Sequence, residues 1–267
     1  MWLQTRCELA FEIVRPTPFL FMLRVRSGMQ QWVAQESYKL SPIVPVVEVS
    51  DKYGNLCQRL VAPAGDFRIS TSATVRTADA CDENPQAGFV KVQKLPDETL
   101  EYLLPSRYCE SDLMNQQAFS VVGSASPGYQ QVSAITDWIR NQIQYLPGSS
   151  NLPISSKEIM DKGQGVCRDL AHVGIALSRS LCIPARFVVG YLHNLDPMDI
   201  HAWFEAYIGD RWYSFDPTQK TLKGGRIVIA YGRDAADVAI SNQFGPPVFP
   251  YDMNVEVEQI ENFQLDS

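Results

Sequence analysis

Residues 163–186 of this 267-residue chain, GQGVCRDLAHVGIALSRSLCIPAR, decide its fold. Their apolar residues recur at steps of three and four: Val166, Leu170, Val173, Leu177 and Leu181. This spacing is typical of one buried stripe on a helix. The helix is expected to begin at about Cys167, after the helix-breaking Gly163 and Gly165, and to end before Pro184. A cysteine therefore stands at the helix N-terminus, where the partial positive charge of the helix dipole favours a thiolate.

A β-hairpin is predicted downstream of this helix. Gly209-Asp210 is a two-residue turn between apolar strands, and it fixes which residues of the two strands face each other. In that register His201 and Asp216 are diagonal neighbours on one face, with Cα atoms about 7 Å apart. An imidazole and a carboxylate can meet across that separation, provided that no β-bulge interrupts the pairing. The hairpin would then hold a base together with the acid that orients it.

Cys167, His201 and Asp216 are therefore the predicted catalytic triad. The thiol would act as nucleophile, the imidazole as general base and acid, and the carboxylate as the group that holds the imidazole. Gly165 leaves room for a substrate carbonyl beside the backbone N–H groups at the helix start, which predicts an oxyanion hole there.

The rest of the chain predicts an α+β fold. Alternating apolar residues between Pro- and Gly-rich breaks favour an N-terminal β-sandwich-like domain over residues 1–110. Residues 111–267 are expected to form a core of helices packed on an antiparallel sheet. One further helix is predicted to start at Ser126-Pro127 and end at Pro147-Gly148, and a shorter one to start at the capping box of Ser155 and Glu158. Further strands are predicted at 186–192 and 226–231, and around 253–257.

The composition narrows the classes of function. The net charge is −7, and such an acidic surface repels nucleic acid and anionic membranes. No apolar stretch reaches the roughly 20 residues that span a bilayer. The six cysteines include no C-x-x-C pair, so they are interpreted as reduced thiols of a cytoplasmic protein, with no zinc site. Two loop carboxylates, Asp196 and Asp199, are far fewer ligands than calcium takes, so no metal or other cofactor is expected.

Four motifs in this order resemble the signature of the transglutaminase-like superfamily. They are Gly165-Val166-Cys167-Arg168-Asp169-Leu170-Ala171-His172, then Ile183-Pro184-Ala185-Arg186, then His201-Ala202-Trp203-Phe204-Glu205, and last Asp216-Pro217-Thr218. The segment Gly232-Arg233-Asp234 and the turn from Asp51 to Asn55 also resemble bacterial members of this superfamily with an N-terminal β domain, described as cysteine proteases. Cys182 departs from the pattern, because the family usually has glycine at that position.

The resemblance implies a papain-like core, the same triad and a peptide or protein substrate. It also implies a second oxyanion donor upstream of the cysteine, for which Tyr145 and Gln164 are the candidates. Trp203, opposite Asp216 in the hairpin, is predicted to shield the His–Asp pair and to lie beside the substrate. His172 is predicted to be a structural histidine of the core.

Three functions remain open on the sequence. The preferred one is hydrolysis of peptide or carboxamide bonds through a thioester on Cys167. Transfer of the acyl group to an amine, as in protein-glutamine cross-linking, needs the same triad and differs only in the acceptor. A binding protein that keeps the fold without turnover is the third alternative. A thiol redox protein is not expected, because Cys182 lies at the far end of the same helix from Cys167.

Overall fold

A computed structural model describes residues 1–28, 30–149, 152–238, 240–261 and 263 of the chain. Its helices, in chain order, are α1 (Asn115–Val122), α2 (Tyr129–Gln142), α3 (Ser156–Lys162) and α4 (Cys167–Ser180). Its strands are β1 (Trp2–Ile13), β2 (Thr17–Phe21), β3 (Gln31–Ser41), β4 (Val46–Ser50), β5 (Leu56–Ala62), β6 (Gly65–Thr77), β7 (Gln144–Tyr145), β8 (Gln164–Gly165), β9 (Ala185–Leu192), β10 (His201–Ile208), β11 (Arg211–Phe215), β12 (Arg226–Gly232), β13 (Ser241–Gln243) and β14 (Asp252–Ile260). The predicted α+β class is confirmed.

The N-terminal part is built from two antiparallel four-stranded sheets. Their strand orders are β14-β1-β6-β3 and β13-β2-β5-β4. Aromatic residues join the two sheets: the ring of Phe11 in β1 lies 5.5 Å from Phe19 and 5.9 Å from Phe21, both in β2. Both strands alternate buried and more exposed residues along much of their length, as expected when one face of each sheet is buried. This is the β-sandwich-like arrangement that the alternating sequence predicts.

Strands from the C-terminal end of the described chain complete both sheets. β14 pairs with β1 along nine residue pairs, from Trp2 opposite Ile260 to Ala10 opposite Asp252. β13 pairs with β2 in the other sheet. Residues from both sides of position 110 therefore share sheets, and the division of the chain into domains at that position stays a prediction.

The core that follows is a four-stranded antiparallel sheet with α4 packed against it. The strand order is β11-β10-β9-β12. Gly174 in α4 is where the helix approaches the sheet most closely, because a Cβ atom there would collide with the ring of Phe204 in β10. The alternate residues of β10 point to the opposite face, and these include His201 and Trp203. None of the helices in the described residues is long and apolar enough to cross a membrane.

Two helix boundaries differ from the sequence expectation. α2 begins at Tyr129 rather than at Ser126-Pro127, because the N–H of Tyr129 donates to the carbonyl of Ala87 and Gly128 takes a positive φ of 109°. α2 also ends at Gln142 rather than before Pro147. Its next residues form β7, which pairs in parallel with β8. In both places a contact with a segment distant in sequence outweighs local helical spacing.

Cys182 lies in the turn that ends α4, in a backbone conformation that favours glycine. Its φ is +59°, in the left-handed region that costs an ordinary residue about 1–2 kcal/mol. The Cys182 N–H donates to the carbonyl of Arg179 at 2.9 Å, and the Ile183 N–H donates to that of Ser178 at 3.1 Å. These two bonds define a Schellman motif, in which glycine is the preferred left-handed residue.

We therefore expect Cys182→Gly to stabilise the protein. The substitution relieves the strained φ, and the thiol that it removes is exposed. The free energy of unfolding should rise by about 1 kcal/mol from the relieved strain. Part of this rise is offset because glycine gives the unfolded chain more conformational entropy. Urea unfolding with Cys182→Ala as the matched control would measure it. A Gly variant no more stable than the Ala variant would contradict this account of the turn.

Candidate active site

The hairpin of β10 and β11 has the register that its two-residue turn predicts. Ile208 pairs with Arg211, and Phe204 pairs with Phe215. Beyond the last of these pairs, His201 and Asp216 meet, with 2.8 Å between imidazole Nε2 and carboxylate Oδ2. With Asp216 ionised, Nε2 carries the proton of this hydrogen bond. Nδ1 is then the ring nitrogen that remains for a nucleophile.

The His201–Asp216 pair is almost completely buried, with 1% and 2% of the two residues exposed. Burial disfavours the imidazolium, yet the charge of Asp216, its hydrogen bond and the thiol of Cys167 together raise the pKa of His201 to about 10. Burial also opposes ionisation of Asp216. The charges of His201 and Arg226 outweigh it and hold the pKa of Asp216 well below its ordinary value. At neutral pH the pair is therefore an imidazolium and a carboxylate.

Asp216 has two further partners that fix its position. Nη2 of the buried Arg226, at the start of β12, donates to the same Oδ2 at 2.9 Å. The Thr218 hydroxyl and backbone N–H donate to the other oxygen, Oδ1, at 2.7 and 3.0 Å. The carboxylate thus accepts hydrogen bonds on both oxygens and cannot rotate away from His201 without losing several of them.

Cys167 is the first residue of α4, and its half-buried thiol lies close enough to His201 to help raise the pKa of the imidazole. The helix start is fixed by Asp169, whose Oδ2 accepts a hydrogen bond from the N–H of Val166 at 3.2 Å. Because Cys167 is the first helical residue, its own N–H has no acceptor one turn earlier in the helix. The structure thus brings together all three residues that the sequence predicts as a triad.

Gly165 and Tyr145, both predicted near the substrate, lie side by side. They are paired residues of the short parallel strands β7 and β8. A Cβ atom at Gly165 would lie 2.8 Å from Cβ of Asp169, so only glycine fits against the start of α4. Burial, with the charges of Cys167 and Asp199, raises the pKa of Tyr145 to about 12. The phenol therefore stays protonated and can donate a hydrogen bond.

The other two predicted substrate-binding residues occupy different environments. Gln164 is exposed and precedes Gly165 in β8. Trp203 is completely buried, with its ring centre 6.2 Å from that of His201 and 4.9 Å from the guanidinium carbon of Arg226. Its indole stacks beside the imidazole of His201. That it shields the His–Asp pair from water stays a prediction. Contact of either side chain with substrate stays a prediction.

His172 belongs to the core, as the sequence predicts. Its ring stacks on Tyr108 with centres 5.4 Å apart, and Nε2 accepts a hydrogen bond from the N–H of Ala235. Burial lowers the pKa of His172 to about 3, so this side chain is neutral. Among the described residues, no group of three or more His, Cys, Asp or Glu side chains is arranged to hold a metal ion.

Arg226 is the residue at this site that sequence reasoning missed. It lies in β12, which joins the sheet through β9 and is not adjacent to the hairpin. The available signal was an arginine at the start of an otherwise apolar strand. A buried arginine requires an anion, but the sequence does not say which one.

The fold and site together define a class: a papain-like α+β protein with a cysteine at a helix N-terminus and a buried His–Asp pair on a hairpin. The family model of the transglutaminase-like superfamily matches residues 115–217. The crystal structure of a "Putative Cysteine Protease" from Cytophaga hutchinsonii aligns with a TM-score of 0.91 and 37% identity, covering 99% of this chain and 92% of that one. The chain belongs to the transglutaminase-like superfamily.

The chain is also similar to proteins of two mycobacteria. An uncharacterized protein of Mycobacterium leprae is 26% identical over 81% of this chain and 82% of its own length. An uncharacterized protein of Mycobacterium tuberculosis is 31% identical over a shorter region, 38% of this chain and 37% of its own length.

Proposed function

We propose that this chain is a thiol acyl-transfer enzyme that cleaves peptide or carboxamide bonds through a thioester on Cys167. The observation that carries the proposal is the His201 imidazole, which donates to the buried Asp216 at 2.8 Å and whose pKa the Cys167 thiol at the start of α4 helps to raise. A nucleophile, a base and an orienting acid in this order are the requirements of covalent acyl transfer. The Cytophaga hutchinsonii relative, named a "Putative Cysteine Protease", supports the same chemistry.

The first half of the reaction forms the thioester. The raised pKa of His201 keeps its imidazole protonated beside the sulfur, which favours an ion pair of thiolate and imidazolium. Cys167 attacks the carbonyl carbon of the amide, and the backbone N–H of Cys167 with the Tyr145 hydroxyl would stabilise the oxyanion. As the C–N bond breaks, His201 gives its proton to the leaving nitrogen. The products are a free amine and an acyl group bonded to sulfur.

The second half releases the acyl group. The now neutral His201 takes a proton from an incoming water molecule, whose oxygen bonds to the thioester carbon. The C–S bond then breaks, and the thiolate faces the imidazolium again. An amine in place of water would give a new amide bond, which is transamidation. We favour hydrolysis, because the chain resembles bacterial members described as proteases.

A glutamine-containing peptide incubated with a fluorescent alkylamine separates the two outcomes. We expect the peptide acid to form faster than the amine adduct, at a ratio of about two to one or more, because water reaches the thioester without needing a binding site. Product masses give the ratio, and Cys167→Ala provides the blank for both reactions. Predominant incorporation of the amine would instead identify the protein as a transamidase. No turnover with any peptide would favour a binding protein on the same fold.

A further inference from the structure

A cavity of about 520 Å³ lies between the N-terminal sandwich and the core sheet. Most of its lining comes from β3 and β6 on one side and from β10, β11 and β12 on the other. We call it the inter-sheet cavity. Among the described residues that line it, none belongs to the triad, but Trp203 and Arg226 do line it. The cavity is therefore a second concave site, separated from the triad by two side chains that lie beside His201 and Asp216.

Arg226 brings unused hydrogen-bond donors to the inter-sheet cavity. Only 6% of its side chain is exposed, and its Nη2 donates to Asp216. Its Nε and Nη1 have no hydrogen-bond partner within the described part of the chain. The same is true of Nε1 of Trp203, whose ring centre is 4.9 Å from the guanidinium carbon. Each unpaired buried N–H group costs about 1–3 kcal/mol, so an acceptor from outside the chain is expected here.

The charges around the inter-sheet cavity favour an anion. Both carboxylates in its lining are in ion pairs. Glu205 pairs with Arg186 at 2.6 Å, and Asp82 pairs with Arg211 at 3.2 Å. Arg76, an exposed residue of β6 that also lines the cavity, forms no ion pair with any residue that the structure describes. Since the paired groups largely cancel, Arg76 leaves a net positive charge at the cavity.

Tryptophan rings supply much of the apolar lining. Trp32, Trp203 and Trp212 line the cavity, which is three of the five tryptophans in the chain. Aromatic rings with a few polar groups among them are typical of sites for small organic molecules. A flat apolar group packs well against such rings, whereas an inorganic anion would leave them unused. The lining thus fits a ligand that has both an anionic group and an apolar body.

We propose that the inter-sheet cavity is a binding site for a small organic carboxylate with a planar apolar body. The unpaired N–H groups of Arg226 and Trp203 donate charge-assisted hydrogen bonds to the carboxylate, and the indole rings hold the body. Because Arg226 also holds Asp216, the ligand contacts a residue that positions the catalytic acid without entering the site of the nucleophile. Binding needs no turnover, so the inference does not depend on the proposed function.

Benzoate and benzamide test the chemical class, because they share a shape and differ in charge. By isothermal titration calorimetry the native protein should bind benzoate at least about tenfold more tightly than benzamide. Arg226→Lys keeps a cation for Asp216 but has fewer donors in a different geometry, so it should weaken benzoate binding at least about fivefold. Equal affinities for the two probes would mean that water alone satisfies the buried N–H groups, and would overturn the inference.

Arg76→Gln tests the cavity without disturbing Arg226, since Arg76 is exposed and should be replaceable without loss of the fold. It should weaken benzoate binding about threefold or more at low salt. Arg59→Gln is the matched control, because it removes one exposed positive charge from β5, away from the cavity lining. Its affinity should stay within about 1.5-fold of the native value. Equal losses in the two variants would show that benzoate responds only to the overall charge.

Two cysteines of the same molecule show where benzoate binds. Cys81 lines the inter-sheet cavity and is partly exposed, whereas Cys167 belongs to the triad. At ten times its dissociation constant, benzoate should slow modification of Cys81 by methyl methanethiosulfonate about tenfold. The rates of Cys167 and of the exposed Cys182, read by peptide mapping, should stay within about twofold. Protection of Cys167 in place of Cys81 would put the carboxylate at the triad and overturn the inference, while the proposed function would stand.

Discussion

Cys167→Ala should abolish thioester formation, with amide turnover falling by at least about 10⁴-fold, because no other described group can take the place of the nucleophile at His201. The thiol is half-buried at the helix N-terminus rather than part of the packed core, so the variant should stay folded. Mass spectrometry of the intact protein after incubation with peptide substrates or a cell lysate would detect an acyl adduct in the native chain and none in the variant.

Cys182→Ala is the control for this experiment, since it removes a thiol that is exposed at the other end of α4. It should retain both the adduct and the activity. Turnover that persists in Cys167→Ala with an unchanged circular dichroism spectrum would show that the assigned nucleophile is wrong. The family assignment would stand in that case, because a fold by itself does not establish an activity.

The hairpin that carries His201 and Asp216 could be predicted because its register is a local property. A two-residue turn at Gly209-Asp210 fixes which residues are paired, and alternation along the strands then fixes the face. The N-terminus of α4 could be predicted for a similar reason. Helical spacing begins there immediately after two glycines, and only Val166 separates Gly165 from the cysteine.

Contacts between segments distant in sequence could not be predicted in this way. Arg226 reaches Asp216 only because β12 pairs with β9. No local sequence pattern predicts that pairing. Strands β7 and β8 have two residues each, which is too short for any periodicity to be recognised. Their pairing nevertheless places Tyr145 beside Gly165, and it ends α2 earlier than helical spacing predicts.

The last strand illustrates the same limit. Alternation of Met253, Val255 and Val257 predicts a strand, and β14 covers these residues. Its partner is β1, some 250 positions earlier in the chain. Alternation predicts that one face of β14 is buried, but it does not predict which of the other strands lies beside it. The choice among them depends on the packing of the complete sandwich.

Asp216→Asn should uncouple the catalytic pair, with a loss of reactivity that depends on pH. In the native protein the raised pKa of His201, about 10, keeps the imidazolium beside the thiol throughout the neutral range. Asparagine keeps the shape of the side chain but lacks the charge that raises this pKa, while the burial that lowers it remains. His201 would then lose its proton at a much lower pH, and the thiolate would lose its partner ion.

The alkylation rate of Cys167 by iodoacetamide measures this directly. At pH 6 the variant should react at least about tenfold more slowly than the native chain, since one pKa unit corresponds to a tenfold change. The difference should shrink above pH 9, where ordinary thiols ionise without help.

Thr218→Val is the matched control, because it removes the 2.7 Å hydrogen bond to Oδ1 and leaves the charge of Asp216 in place. Its profile should shift far less, whereas equal shifts in the two variants would mean that hydrogen bonding rather than charge sets the protonation of His201. Because Asp216→Asn also leaves Arg226 buried without its anion, we expect a lower melting temperature, and only alkylation rates taken well below that temperature decide between the two outcomes.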